Sequence, residues 1–64
     1  MLARLNERLQ MLSHRRLRLF EDQHGLVWCM DSHREEPVLI GTIDDAIRLT
    51  EEAEREELTI AIMS

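Results

Sequence analysis

The N-terminal segment carries leucines at helical intervals. Four of them are separated by three, four and three residues, in the order Leu2, Leu5, Leu9 and Leu12. This spacing puts the leucines on one face of an amphipathic helix, which we predict over residues 1–14. Its apolar face is expected to pack on a sheet or on the same helix of a second copy. A longer helix that runs to Phe20 is an alternative, but Arg16 would then interrupt the apolar stripe.

Three short segments after this helix have the patterns of β-strands. Residues 16–20 alternate polar and apolar side chains, which is typical of a half-buried strand. Residues 26–30 are apolar at every position, as expected for a central strand, and Gly25 before them supplies a turn. Residues 38–40 follow Pro37, which cannot donate to a strand ladder and therefore suits the first residue of a strand.

A helix start is encoded by the segment from Gly41 to Asp45. Glycine permits a sharp turn, and Thr42 can cap the first helical turn with its hydroxyl oxygen. Asp45 stands three residues after Thr42, where a capping box has its acidic residue, and it suits the positive end of the helix dipole. We predict this second helix over residues 43–56. The alternation of large aliphatic and smaller residues over 58–63 predicts a final strand.

Together these elements predict a small α+β protein with the order α-β-β-β-α-β. The sheet is expected to be mostly antiparallel, with helices as its cover. A chain of 64 residues predicts a single domain over 1–64, in which the helix of 1–14 precedes a βββαβ unit over 16–63. A domain of this size buries only about 60% of its unfolded surface, so a second copy or a partner is a natural source of further burial.

The charges are unevenly divided along the chain. Residues 1–18 carry a net charge of +4 and residues 19–64 carry −9, which gives −5 in total. All eight basic residues are arginines. Such a division can orient partners, although arginines that pair with acids within the fold are the simpler explanation. The overall acidity disfavours general affinity for nucleic acid.

The composition favours a protein of a reducing compartment. The apolar fraction of 44% is too high for a disordered chain, and the single cysteine, Cys29, allows no internal disulfide. No apolar run in the sequence is long enough for a membrane span or for the core of a signal peptide. We therefore expect a soluble, cytoplasmic protein.

The sequence offers little for catalysis or metal binding. Its three histidines and one cysteine lack the spacing of a paired zinc motif, and Cys29 is expected to be an ordinary small core residue. Helix capping and a solvated helix face explain the acidic residues. The sequence contains no phosphate-binding glycine loop, no nucleophile elbow and no lysine. We therefore predict a protein that is not an enzyme and that uses no cofactor or metal.

Candidate binding residues follow from the surplus of apolar side chains and from the charges. The predicted sheet has more apolar positions than one helix can cover, so Trp28 is either part of the core or a partner contact. Carboxylates on the second helix would steer a basic partner. The predicted partner-binding residues are Trp28, Met30, Leu5, Leu9, Leu12, Glu51 and Glu52. An alternative nucleic-acid site consists of Arg15, Arg16 and Arg18, and a homodimer would double this patch.

Several of these features follow one another between Leu17 and Met63. A first strand leads to a polar turn ending at Gly25, an apolar second strand, the helix start Gly41-Thr42-x-Asp44-Asp45-Ala46 and a last strand. In this arrangement the segment resembles the N-terminal domain of HicB-type antitoxins. The resemblance implies a partly open sheet with helix cover that neutralises a small toxin. The strand, capped helix and strand are also similar in layout to small bacteriophage proteins that inhibit host enzymes.

The sequence thus predicts a small non-catalytic protein–protein interaction module from a bacterium or a phage, either antitoxin-like or a phage-type inhibitor or adaptor. It is expected to form a homodimer and to bind one protein partner, which we expect to be basic. The alternative is a homodimeric nucleic-acid-binding protein that uses the arginine-rich N-terminal segment.

Overall fold

Two helices and a three-stranded sheet make up the computed structural model, which describes residues 1–63. Both pairs of neighbouring strands are antiparallel, and the strand order is β1-β2-β3. The predicted α+β class, the antiparallel sheet with helix cover and the order of the first five elements are confirmed. These elements are α1 (Leu2–Gln10), β1 (Leu17–Glu21), β2 (Val27–Asp31), β3 (Val38–Gly41) and α2 (Ile43–Met63).

The segment 58–63, predicted as a final strand, is instead the C-terminal part of α2. The prediction was wrong because it used a period of two, whereas Leu58, Ala61 and Ile62 also have the spacing of one helical face. No glycine or proline separates this segment from the helix before it, so each added residue gains a hydrogen bond without a new nucleation step. α2 therefore continues well past its predicted end at residue 56.

The first helix is shorter than predicted. α1 ends at Gln10 rather than near residue 14, and the alternative helix that runs to Phe20 does not form. The segment after it is tied to α2 instead. Glu57 accepts hydrogen bonds from the backbone N–H of Ser13 at 3.1 Å and from that of His14 at 3.2 Å. Its carboxylate also contacts the Ser13 hydroxyl and the His14 ring, which fixes this segment against the helix.

The predicted helix start is confirmed at the N-terminus of α2. The backbone N–H of Thr42 donates to Asp45 Oδ2 at 2.9 Å, and the N–H of Asp45 donates to the Thr42 hydroxyl oxygen at 3.3 Å. This reciprocal pair is a capping box with aspartate in place of glutamate. The hydrogen bonds from the Thr42 backbone and side chain hold the pKa of Asp45 below its usual value.

One face of the sheet is covered by both helices, and the core lies between the two layers. Alternate residues of β1 and β2 point into this core, which is the period of a strand that is buried on one side. Burial of a leucine side chain such as Leu9 contributes about 1.5–3 kcal/mol. The buried residues of the core are Leu5, Leu9, Leu17, Leu19, Val27, Cys29, Ala46, Thr50 and Ala53.

The outer edge of β1 is closed by a side chain of α1. The Asn6 amide donates to the carbonyl oxygen of Leu19 at 3.0 Å and accepts from the N–H of Leu19 at 2.7 Å. A neighbouring strand would make these two hydrogen bonds at an edge residue. Asn6 therefore takes the place of a further strand at this edge of the sheet.

Candidate protein-docking surface

The second face of the sheet carries no helix in the part of the chain that the structure describes. Phe20, Trp28 and Met30 alternate with the core positions of β1 and β2 and therefore point to this side. The strand register places Phe20 beside Trp28 and Trp28 beside Leu39, which makes a row across all three strands. Phe20 is 40% and Leu39 is 49% exposed. We call Phe20, Trp28, Met30 and Leu39 the open sheet face.

Trp28 is held in place by the turn between β1 and β2. Its indole N–H donates to Asp22 Oδ2 at 2.8 Å, while Asp22 Oδ1 accepts from the backbone N–H groups of His24 and Leu26. The hydrogen bond from Trp28 is the largest cause of the lowered pKa of Asp22, and the hydrogen bonds from the backbones of Leu26 and His24 lower it further. Trp28 is half-buried and lies on the face opposite the core, so it is not part of the core, and a contact between it and a partner stays a prediction.

The other predicted hydrophobic contacts do not share this face, apart from Met30, which is 37% exposed beside Trp28. Leu5 and Leu9 are only 2% and 1% exposed. The prediction that these two leucines contact a partner is corrected, because they already pack against the sheet of their own chain. Leu12 is half-buried at the margin of the same core.

Some carboxylates on the predicted acidic side of α2 already have partners within the chain. Glu54 accepts from Arg8 Nε at 3.1 Å, and Glu57 is occupied by the segment after α1. Glu51 and Glu52 are exposed on the helix, and a contact between them and a basic partner stays a prediction. The helix is therefore less negative towards solvent than its sequence indicates.

The three arginines of the alternative nucleic-acid site lie on different sides of the sheet. Arg15 forms ion pairs with Asp31 at 3.3 Å and with Glu56 at 3.6 Å. Arg18 alternates with the core residues of β1 and therefore lies beside the open sheet face, and Arg16 is exposed just before the strand. Of the three arginines, Arg18 alone is placed by the strand register on the open sheet face, opposite Met30.

The end of α2 is a second exposed apolar region. The last buried residue of this helix is Ala53, and the large apolar side chains beyond it are between 48% and 82% exposed. They project in several directions around the helix axis, so they do not form one flat patch. These side chains are Leu58, Ile60, Ile62 and Met63.

Two residues of the open sheet face were not predicted as site residues. Phe20 could have been found, because the alternation over 16–20 places it on the same side as Arg16 and Arg18. Leu39 could not, because its place beside Trp28 depends on a register shift between β2 and β3.

Other chemistry is limited in the described residues. Among residues 1–63, no group of three or more histidine, cysteine, aspartate and glutamate side chains could hold a metal ion. Cys29 is a buried free thiol, and its burial raises its pKa. Over the same range, neither helix has the combination of length and apolar character that a membrane crossing requires.

Comparison of the chain with protein-family models, with curated proteins and with solved structures gives no match. The open sheet face and the residues around it therefore carry the functional proposal.

Proposed function

We propose that this chain is a small non-catalytic protein–protein interaction module that docks one protein partner on the open sheet face. The observation that carries the proposal is the row of Phe20, Trp28 and Leu39, which runs across all three strands with Met30 beside it. Contiguous exposed apolar side chains of this kind mark interaction surfaces in small proteins. Tryptophan in particular is enriched among the residues that contribute most to binding.

The fixed orientation of Trp28 supports a role in docking. A ring that is already held by Asp22 loses little conformational freedom when a partner covers it. The face extends across all three strands, so a partner that covers it has part of its own surface occluded. In this proposal the protein acts as an antitoxin-like or phage-type inhibitor or adaptor. It works in the cytoplasm, where free thiols such as that of Cys29 are common.

The test compares two methionine substitutions in affinity capture from a bacterial lysate. Met30→Glu puts a charge on the open sheet face, whereas Met11→Glu puts the same charge on an 83% exposed position at the end of α1. Circular dichroism first shows that both variants fold. The proposal requires a protein that wild type and Met11→Glu capture and Met30→Glu does not. It also requires that the purified complex shields Trp28 from a fluorescence quencher.

The outcome that would end the proposal is equal capture by all three proteins, or a complex in which Trp28 stays as accessible as in the free chain. Sedimentation of the same samples measures self-association, because a homodimer stays a prediction. A dimer that shields Trp28 would make a second copy the occupant of this face in place of another protein.

A second candidate function is binding of single-stranded nucleic acid to the same face. It is favoured by one observation, namely that Arg18 lies opposite Met30 and two residues from Phe20 on the same face. Bases stack on exposed aromatic side chains, and arginines neutralise the phosphates between them. Such binding quenches Trp28 fluorescence, weakens steeply with salt and is reduced by Arg18→Ala. Unchanged Trp28 fluorescence with single-stranded DNA and RNA at low salt would exclude it.

A further inference from the structure

The two edges of the sheet differ in their protection. Asn6 occupies the outer edge of β1 through its two hydrogen bonds to Leu19. At the opposite edge, β3 pairs with β2 on one side only. No hydrogen bond from the rest of the described chain reaches the other side of Val38 or Leu39. An unprotected edge of this kind is a template for a further strand.

The side chains of β3 make its edge attractive to an apolar segment. Val38 and Leu39 are 40% and 49% exposed, and the strand itself carries no charge. Natural sheets protect a free edge with charged residues, with proline inside the strand or with a covering element. Pro37 stands before β3 rather than within it, so it does not block pairing along the strand.

A small cavity lies beside β3 on the helix side of the sheet. Its volume is about 190 Å³. Val38, Ile40 and Leu49 contribute apolar walls, and the charged residues Arg15, Asp31 and Arg34 also line it. This space is much larger than a single water needs, so it can admit an aliphatic side chain, which would pack on the apolar walls. A strand added to the edge of β3 would place alternate side chains in this cavity and beside Leu39 on the open sheet face.

The charges at the two ends of β3 indicate the chemistry of the occupant. Glu35 and Glu36 are exposed before the strand, where the exposed Arg34 offsets one of their two charges, and Asp44 is exposed after it. An antiparallel second copy would bring the start of one β3 beside the end of the other, and these acidic residues would repel each other. A segment with basic residues on either side of its apolar centre would meet opposite charges at both ends.

We propose that the free edge of β3 binds an extended segment of a basic protein partner as a fourth strand. Backbone hydrogen bonds to β3 provide affinity, and the cavity between Val38 and Leu49 selects an aliphatic side chain. Lysine or arginine at the ends of the segment pairs with Glu35, Glu36 and Asp44. The inference rests on the proposed function, since it gives the mode by which the interaction module holds its partner.

The test uses the synthetic peptide Lys-Val-Thr-Val-Thr-Val-Lys as the probe, with amide NMR of the full chain as the readout. The expected result is a set of shifts that centre on Val38 and Leu39. A peptide with glutamate at both ends, and one with N-methyl groups on its two threonines, should each bind about tenfold or more weakly. Val38→Lys should weaken binding similarly, whereas Met11→Lys should not.

Three results would overturn the inference: no peptide-induced shifts at β3, equal binding of the peptide with acidic ends, or a dimer that Val38→Lys dissociates. The methylated peptide tests the backbone contact on the wild-type chain, so the test survives a folding defect in Val38→Lys. Met30→Glu separates the two proposals. Peptide binding that persists in this variant while the docked partner is lost supports the edge site. Absence of peptide binding to the wild-type chain, while Met30→Glu still loses the captured partner, refutes only the edge site.

Discussion

Trp28 and Asp22 are joined by a hydrogen bond of 2.8 Å between the indole N–H and Oδ2. The other oxygen of the same carboxylate holds the turn through the N–H groups of His24 and Leu26. The geometry of the hairpin and the orientation of the single tryptophan are therefore coupled. No helix within residues 1–63 covers the second face of the sheet, yet this face presents an ordered aromatic residue because the adjoining turn fixes it.

Replacing Asp22 with alanine is expected to release the Trp28 ring and to loosen the turn. The indole N–H then finds water instead of the carboxylate, so the emission maximum of the single tryptophan should shift to longer wavelength and its quenching should increase. Steady-state fluorescence with an acrylamide titration measures both effects. Gln23→Ala, which changes an exposed neighbour in the same turn, should leave them unchanged. An unaltered spectrum in Asp22→Ala would show that Trp28 is held by other contacts.

Replacing Asn6 with alanine is expected to open the edge of β1. Leu19 loses both of its hydrogen bonds to the Asn6 amide, and an unsatisfied backbone group of a buried residue costs about 1–3 kcal/mol. Urea unfolding measures this loss, and amide hydrogen exchange should show faster exchange at Leu19. Gln10→Ala on the same helix is the control, since Gln10 is exposed. Equal exchange at Leu19 in both variants would contradict the role assigned to Asn6.

Gly41→Ala is expected to be more destabilising than Gly25→Ala. Gly41 has φ +123°, and an added Cβ would lie 2.5 Å from Asp45 Oδ2 in the capping box. Gly25 has φ +78°, and the nearest atom to an added Cβ is 3.9 Å away. Backbone strain of the kind at Gly41 costs about 1–3 kcal/mol, and loss of the cap adds to it. Thermal unfolding of the two variants, measured in parallel, tests which of them is less stable. Equal decreases in melting temperature would refute the prediction.

The carboxylate of Glu57 is expected to make the free energy of unfolding depend on pH in the acidic range. Its pKa falls from 4.5 to about 2 in the folded chain, chiefly because the Ser13 hydroxyl and then the His14 ring hydrogen-bond to the ionised form. The stabilisation is therefore fully present above pH 4.5 and is lost as the pH falls towards 2. Glu57→Gln should lower the free energy of unfolding at pH 6. Between pH 4.5 and about 2, this free energy should depend less on pH than in wild type.

Urea unfolding of Glu57→Gln at several acidic pH values gives this comparison. Glu52→Gln serves as its control, because Glu52 is exposed on the same helix. A pH dependence that is the same in both variants would mean that Glu57 does not anchor the segment after α1.

Local signals were sufficient for most of the secondary structure. The leucine spacing predicted α1, and Thr42 and Asp45 predicted the start of α2, because caps and helical faces depend on residues within a few positions of each other. The end of α2 was mispredicted for the same reason. Over 58–63 the apolar residues fit both a strand and a helix, and the local pattern does not choose between them.

The sequence by itself determined that residues 16–20 have two different faces and that Trp28 and Val27 point in opposite directions. Only the tertiary structure decided which face the helices cover. That choice depends on the packing of α1 and α2 onto one side of the sheet, through contacts between residues far apart in the chain such as Asn6 with Leu19 and Ser13 with Glu57. Alternation defines two faces, but the burial of Leu5 and Leu9 by those long-range contacts made one the core and left the other open.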